Sequence, residues 1–259
     1  MNYQTIELDI QNKVATIRLN RPDVHNALNN ILIYDLYDAF ESLLHQSDVR
    51  VIVLTGNGKS FCAGADLNWM KSVVHYSYEQ NYEESLKLAK LMYLIFNHTK
   101  PVIAKINGSA IGGGVGLMSV CDILVANETA KFGLSEVRLG LVPAAISPFV
   151  MSRIGESHSR ELFITGERIS AAKALRIGLL NYCLSESELD SKVDELCKTI
   201  IKNGPNALKS VKELIFNCTQ LRFPELQNYT AKLIADLRLS TEGQEGMNAF
   251  LEKREPNWV

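Results

Sequence analysis

Cysteine is sparse in this chain and does not pair. Cys62, Cys121, Cys183, Cys197 and Cys218 are scattered, odd in number and without a CxxC pair, which excludes a disulfide framework and a cysteine zinc site. His25, His45, His75, His98 and His158 show no ligand spacing either, so no metal is implied. Charge of one sign is lacking too. The formal net charge is −2, with no basic tract and no acidic block, which argues against a dedicated binder of nucleic acid or of an anionic membrane. No apolar run approaches the roughly 18 residues that a bilayer span needs. The opening MNYQTIELDI has neither signal nor transit character, so a reducing, cytoplasmic setting is expected. Also missing are a GxSxG elbow, a Walker loop and a GxGxxG after the first strand.

What is present is an apolar share of 46% over 259 residues, ample for a large core. Thr5–Ile10 and Val14–Leu19 alternate as strands around Gln11-Asn12-Lys13, a hairpin that Asn20-Arg21-Pro22 ends. Apolar positions from Ala27 to Leu44 fall at helical spacing, and Ser72–Asn97 contains a long helix. Val49–Leu54 is a buried strand whose glycine end leads to the tight loop Phe61–Leu67. Short strands alternating with helices predict parallel pairing with crossovers. There is no exact repeat, only a recurring turn plan in which VIVLTG and PVIAKING each feed a glycine-containing loop. Beyond Phe132 the pattern turns helical: Ala171–Leu180 behind Ser170, Leu189–Lys202, Asn206–Cys218 and a long region over Phe223–Lys253. The expected organisation is an α/β core over residues 1–184 and a helical region over 185–259 whose apolar surface meets another subunit or folds back.

The stretch Pro101–Ala126 holds the first candidate for chemistry. A buried strand breaks at Asn107-Gly108 and reaches Gly112, Gly113 and Gly114 before turning helical through Leu117–Val120. Glycines at a loop-to-helix junction leave backbone N–H groups bare, and the helix start adds partial positive charge. Such a junction can hold a phosphate, a carboxylate or a developing oxyanion; tight packing is the alternative use. Glu136 is the second candidate, one acid in the apolar run KFGLSEVRLGLVP. A carboxylate in such surroundings is expected to have a raised pKa and to exchange protons near neutrality; a surface glutamate paired with Arg138 is the plainer alternative. Ser109 and Cys121 have no histidine placed as a base and are not read as nucleophiles.

FCAGADL, PVIAKINGSAIGGG, CDILVANETAKFGLSEVRLGLVP and the C-terminal EGMNAFLEKR, in that order over essentially the whole chain, resemble the enoyl-CoA hydratase/isomerase (crotonase) family. The resemblance implies a spiral of ββα turns with a C-terminal helical region that builds trimers or hexamers, and an acyl-CoA thioester as substrate, with no separate cofactor. It implies oxyanion donors at the N–H groups of Ala65 and Gly113, and Glu136 as a catalytic acid–base. It sets Ala63, Ala65, Asp66, Leu67, Asn68 and Gly112 against the CoA ester, Val24, His25 and Ala27 beside the adenine, and Lys253 near the CoA phosphates, from this or a neighbouring subunit. The family's first glutamate should stand at position 116, which here is Gly116. Family isomerases also work with the single later glutamate. GADLNWM with GGGVGLMSVCDI and LSEVRLGLVPAAISPFV looks closest to bacterial methylglutaconyl-CoA or carboxygeranoyl-CoA hydratases, which favours hydration over isomerisation. Gly116→Glu is expected to retain or improve hydration, given a pocket that admits the side chain. A non-catalytic CoA-binding or RNA-binding member is the alternative from another class, against which the balanced charge speaks.

Overall fold

The computed structural model describes residues 3–258. The hairpin forms as its alternation predicts: β1 (Ile6–Gln11) and β2 (Val14–Leu19) pair antiparallel, with Ala15, Ile17 and Leu19 buried. Asn29 accepts a hydrogen bond from the Leu32 N–H and so starts α1 (Asn30–Leu44). There follow β3 (Val51–Gly56), β4 (Ser60–Cys62), α2 (Leu67–Val73), α3 (Tyr78–Phe96), β5 (Val102–Ile106), β6 (Ser109–Ile111), α4 (Gly113–Ser119), β7 (Ile123–Asn127) and β8 (Lys131–Gly133). A 3-10 helix over Glu136–Leu139 leads to α5 (Ser147–Thr165), β9 (Arg168–Ser170), α6 (Ala171–Arg176) and β10 (Tyr182–Leu184). The chain closes with α7 (Glu186–Ile201), α8 (Pro205–Gln220), α9 (Glu225–Leu239) and α10 (Thr241–Glu252).

Two sheets result. The larger runs β1-β2-β3-β5-β7-β10, parallel from β2 onward; the smaller runs β4-β6-β8-β9. The parallel strands are apolar on both faces because both faces are covered. Ile52, Leu54, Val102, Ala104, Leu124 and Ala126 face the main core under α1 and α3, and Val51, Val53, Ile103 and Val125 face Leu189, Val193, Cys197 and Ile200 of α7. The expected division at 184/185 therefore does not separate two packed bodies, since α7 belongs to the core. Beyond Ile201 the helical region is more exposed: across α8, α9 and α10 the buried residues reduce to Ala249, although α8 is held to the core by the Lys212–Asp122 ion pair and the Phe96–Phe216 contact. Phe223, Leu239 and Phe250 are each 82% exposed there.

Other expectations shift for local reasons. The long helix expected within Ser72–Asn97 is α3, divided from the short α2, which Asp66 caps, by Ser77, whose capping box with Gln80 starts it. The region Phe223–Lys253 likewise divides at Ser240, which ends α9 and caps α10. Helix α5 went unread because Pro148 and Gly155 (φ 69°) interrupt its period. The glycine helix begins earlier than expected, at Gly113. Among the described residues no helix is long and apolar enough to cross a membrane.

The close approach of α4 to β4 depends on Gly114. A Cβ added there would overlap the Cys62 carbonyl oxygen and lie 2.9 Å from the Cys62 Cβ. Gly114→Ala should lower the unfolding free energy by about 1–3 kcal/mol through overpacking, read as a reduced denaturant midpoint. An unchanged midpoint would show that α4 can lift off the strand.

Candidate active site

Three successive turns of the chain repeat one plan. A strand of the large sheet ends, turns, and continues as a strand of the small sheet: β3 into β4, β5 into β6, β7 into β8. The strands β4, β6 and β8 lie side by side and parallel, about 4.8 Å apart. Residues just past their ends therefore share one edge. Those residues include Ala65 beyond Cys62, Gly113 beyond Ile111 and Glu136 beyond Gly133.

Each turn contributes a different group. After β4, the Ala63 N–H donates to His25 O at 3.0 Å, the Leu28 N–H to Gly64 O at 2.7 Å, and the Asp66 N–H to Leu28 O at 2.8 Å. In such a parallel ladder the intervening residue directs its N–H the other way. The Ala65 N–H accordingly has no protein acceptor among the described residues. Exposure alternates in step: Ala63, Ala65 and Leu67 are exposed, Gly64 and Asp66 buried. After β6, Gly112 (φ 51°) gives its N–H to Gly133 O at 2.7 Å, and the first helical bond belongs to Val115. The Gly113 N–H between them is without an acceptor among the described residues.

After β8 comes Glu136, half-buried at the start of its 3-10 helix. Its Oε1 would lie 3.1 Å from a Cβ added at Gly112, so the carboxyl sits against the glycine turn. Its Oε2 is buried without a hydrogen-bond partner. Burial raises its pKa above the ordinary carboxylate value, against a smaller opposing effect of its own backbone N–H. The pairing with Arg138 considered from sequence is not made. Two unspent N–H donors and an unpaired carboxyl with raised proton affinity can stabilise a developing oxyanion and move a proton beside it. Cys121 is excluded as a nucleophile, since burial pushes its thiol up to about 12.

The other expected residues fall into three groups. Val24 and His25 are exposed at the same edge, His25 within 3.1 Å of Ser60 Oγ, and Leu67 and Asn68 are exposed beyond Ala65. Ala27 and Asp66 are buried. Asp66 is not free for a ligand: Oδ1 accepts the Asn68 and Trp69 N–H groups, and Oδ2 accepts Arg21 Nη2 at 2.7 Å. Burial alone would raise its pKa; the Arg21 and backbone hydrogen bonds outweigh it and hold the carboxyl below the usual range. Lys253 is exposed at the end of α10. The tail that follows it is tied through Trp258 O to Lys13 and Arg50, at the beginnings of β2 and β3. The site lies beyond the ends of those strands.

Position 116 is closed. A Cβ on Gly116 would lie 2.6 Å from the Ile146 Cβ and closer still to Cγ2, and Ile146 is itself buried. Ile146 thus fills the volume a residue at 116 would need, so the condition set on Gly116→Glu, a pocket that admits the side chain, is not met. Sequence reading singled out neither Ile146 nor Arg21; LVPAAISPFV and Asn20-Arg21-Pro22 were noted without roles for these two residues.

Strands in two sheets that rise as a spiral of ββα turns, presenting bare N–H groups beside one glutamate, define the class. The chain belongs to the enoyl-CoA hydratase/isomerase family, whose pattern matches residues 9–259. The short-chain-enoyl-CoA hydratase of Clostridium acetobutylicum is 34% identical over 98% of this chain and 97% of its own. The crotonyl-CoA hydratase of Syntrophomonas wolfei is 33% identical over 100% and 99%. A crystal structure of an enoyl-CoA hydratase from Shewanella pealeana superposes with a TM-score of 0.96 at 36% identity, covering 99% of this chain and 96% of that one. The fold is the crotonase fold.

The orphaned carboxyl has a measurable signature in stability. Because its folded-state pKa is raised, wild type loses stability as pH rises from the ordinary carboxylate value, about 4.3, through the raised one. Glu136→Gln has no such loss. Its stability relative to wild type should grow across that window and stay constant above it, as measured by denaturation at several pH values. A pH-independent difference would mean that Glu136 is solvated, and one that shrinks as pH rises that it is paired.

Proposed function

We propose that this protein hydrates a 2-enoyl-CoA thioester. The observation that carries the reading is the convergence of the Ala65 and Gly113 N–H groups with the unpartnered Glu136 carboxyl on one edge. The thioester oxygen accepts both N–H groups. Glu136 takes a proton from water as the water oxygen bonds to C3, and the C2–C3 π electrons pass to the thioester oxygen as an enolate. The enolate collapses and C2 takes the proton from Glu136. Atoms and charge balance with a single carboxyl acting as base and then as acid. The relatives named as hydratases support this choice.

Leu139, Leu141 and Val142, 57–68% exposed just beyond Glu136, suit an apolar acyl group. The likeness to methylglutaconyl-CoA and carboxygeranoyl-CoA hydratases supports a branched one. Val24, His25 and Asn68 line the edge for the CoA moiety. Lys253 serves the phosphates of a neighbouring subunit's ligand, in a trimer or hexamer joined through the exposed apolar side chains of the last helices.

One observation favours a second reading. With Ile146 packed on Gly116, the second carboxylate of two-glutamate hydratases has no place. A single glutamate suffices to move a proton from C2 to C4 of a 3-enoyl-CoA, which is isomerisation. Purified protein should hydrate crotonyl-CoA, seen as loss of the conjugated-thioester absorbance. Isomerisation of 3-enoyl-CoA without any hydration of 2-enoyl-CoA would overturn the first reading in favour of the second. Under either, Glu136→Gln should lower turnover about 10²–10⁴-fold with CoA-ester binding kept.

The packing at position 116 is testable alongside. Gly116→Glu alone should destabilise the fold, by clash and by an unpaired buried charge. Gly116→Glu with Ile146→Gly should fold and raise the hydration rate relative to Ile146→Gly alone. Equal stability of the single variant and wild type would show that Ile146 yields.

A further inference from the structure

The loop that carries the Ala65 N–H is held by one side chain from elsewhere in the chain. Arg21 stands where the hairpin's second strand ends, its own backbone N–H fixed by Asn26 Oδ1 at 2.9 Å. Its Nη1 donates to Ala27 O, and its Nη2 donates to Asp66 Oδ2 at 2.7 Å. Those two acceptors lie on the two segments of the short ladder: Ala27 directly precedes Leu28, and Asp66 directly follows Ala65. The Arg21 and Asp66 side chains are 18% and 6% exposed, so the pair is largely shielded from water and its hydrogen bonds are worth more than those of a surface pair. The same Asp66 caps α2 through Oδ1, so the loop is fixed on its far side too.

We infer that Arg21 is the positioning residue for the Ala65 N–H. Its guanidinium bonds go to Ala27 O and Asp66 Oδ2, and so clamp the two segments whose ladder turns that N–H outward. The inference rests on Ala65 being a donor to the thioester oxygen. A planar guanidinium reaches both acceptors at once, whereas a lysine ammonium on a flexible stem holds such a pair less rigidly. A loop released by loss of the clamp moves the donor, and a misplacement of about 1 Å is enough to reduce a rate about 10²-fold. Arg21 is thus coupled to the reaction through geometry.

The test reads the donor directly. Butyryl-CoA labelled with 13C at its carbonyl has no double bond to hydrate or shift, so its carbonyl stretch in difference infrared spectra reports the hydrogen bonding alone. Wild type should shift the stretch to lower frequency than in water. Arg21→Met should lose much of the shift and lower kcat about 10²-fold, with the dissociation constant of free CoA unchanged. Arg21→Lys should be intermediate in both. If Arg21→Met does not fold, Asp66→Asn, which keeps the helix cap and weakens the clamp, is read the same way and should lose part of the shift. A full shift in the folded Arg21 variant, or in Asp66→Asn where that variant decides, overturns the proposal, whether kcat is normal or CoA affinity falls. No shift in wild type would remove Ala65 as a donor and the proposal with it.

Discussion

The site exists because three short strands pair in parallel. Strands β4, β6 and β8 bring together segments far apart in sequence and set their ends about one strand spacing apart. Once that pairing is made, a bare N–H, a second bare N–H and a carboxyl meet without further contrivance. None of the three turns is chemically competent alone. Helix α4, which begins at the second bare N–H, packs closely on β4 only because Gly114 has no side chain.

Much of this plan is visible in the residues. The recurring glycine turn after VIVLTG and PVIAKING reflects two of the three strand-to-strand crossings, and the isolated acid at Glu136 marks the third. The large parallel sheet reads from continuous apolar strands such as VRVIVL. The small sheet does not, because three-residue strands such as Ser60–Cys62 and Lys131–Gly133 are too short to show a period. Helix α7 looked like part of a separate helical region since its amphipathic face is the same whether it covers a sheet or a partner.

The side chains that decide function were legible to different degrees. Glu136 could be singled out because burying an unpaired acid is costly, so an acid in apolar company is conspicuous. The partners of the Asp66 side chain were not legible, because sequence shows that a carboxylate lies in the loop and not which way it faces; inward, it answers Arg21 and the start of α2. Ile146 and Gly116 were legible only in part. The missing side chain is evident in the sequence, but the isoleucine filling its volume lies 30 residues on, and only the fold brings them together.

The attachment of the tail has a consequence for how this chain can vary. Arg50 and Lys13 fasten Trp258 at the beginnings of the parallel strands, while the reactive groups lie past their ends. A strand of five or six residues spans roughly 17–20 Å, well beyond the separation at which substitutions cease to influence one another. Changes in the apolar rim around Glu136 and changes in the tail should therefore combine additively. The two ends can be remodelled separately, one for a new acyl group and the other for a new assembly, with the sheet between them left alone.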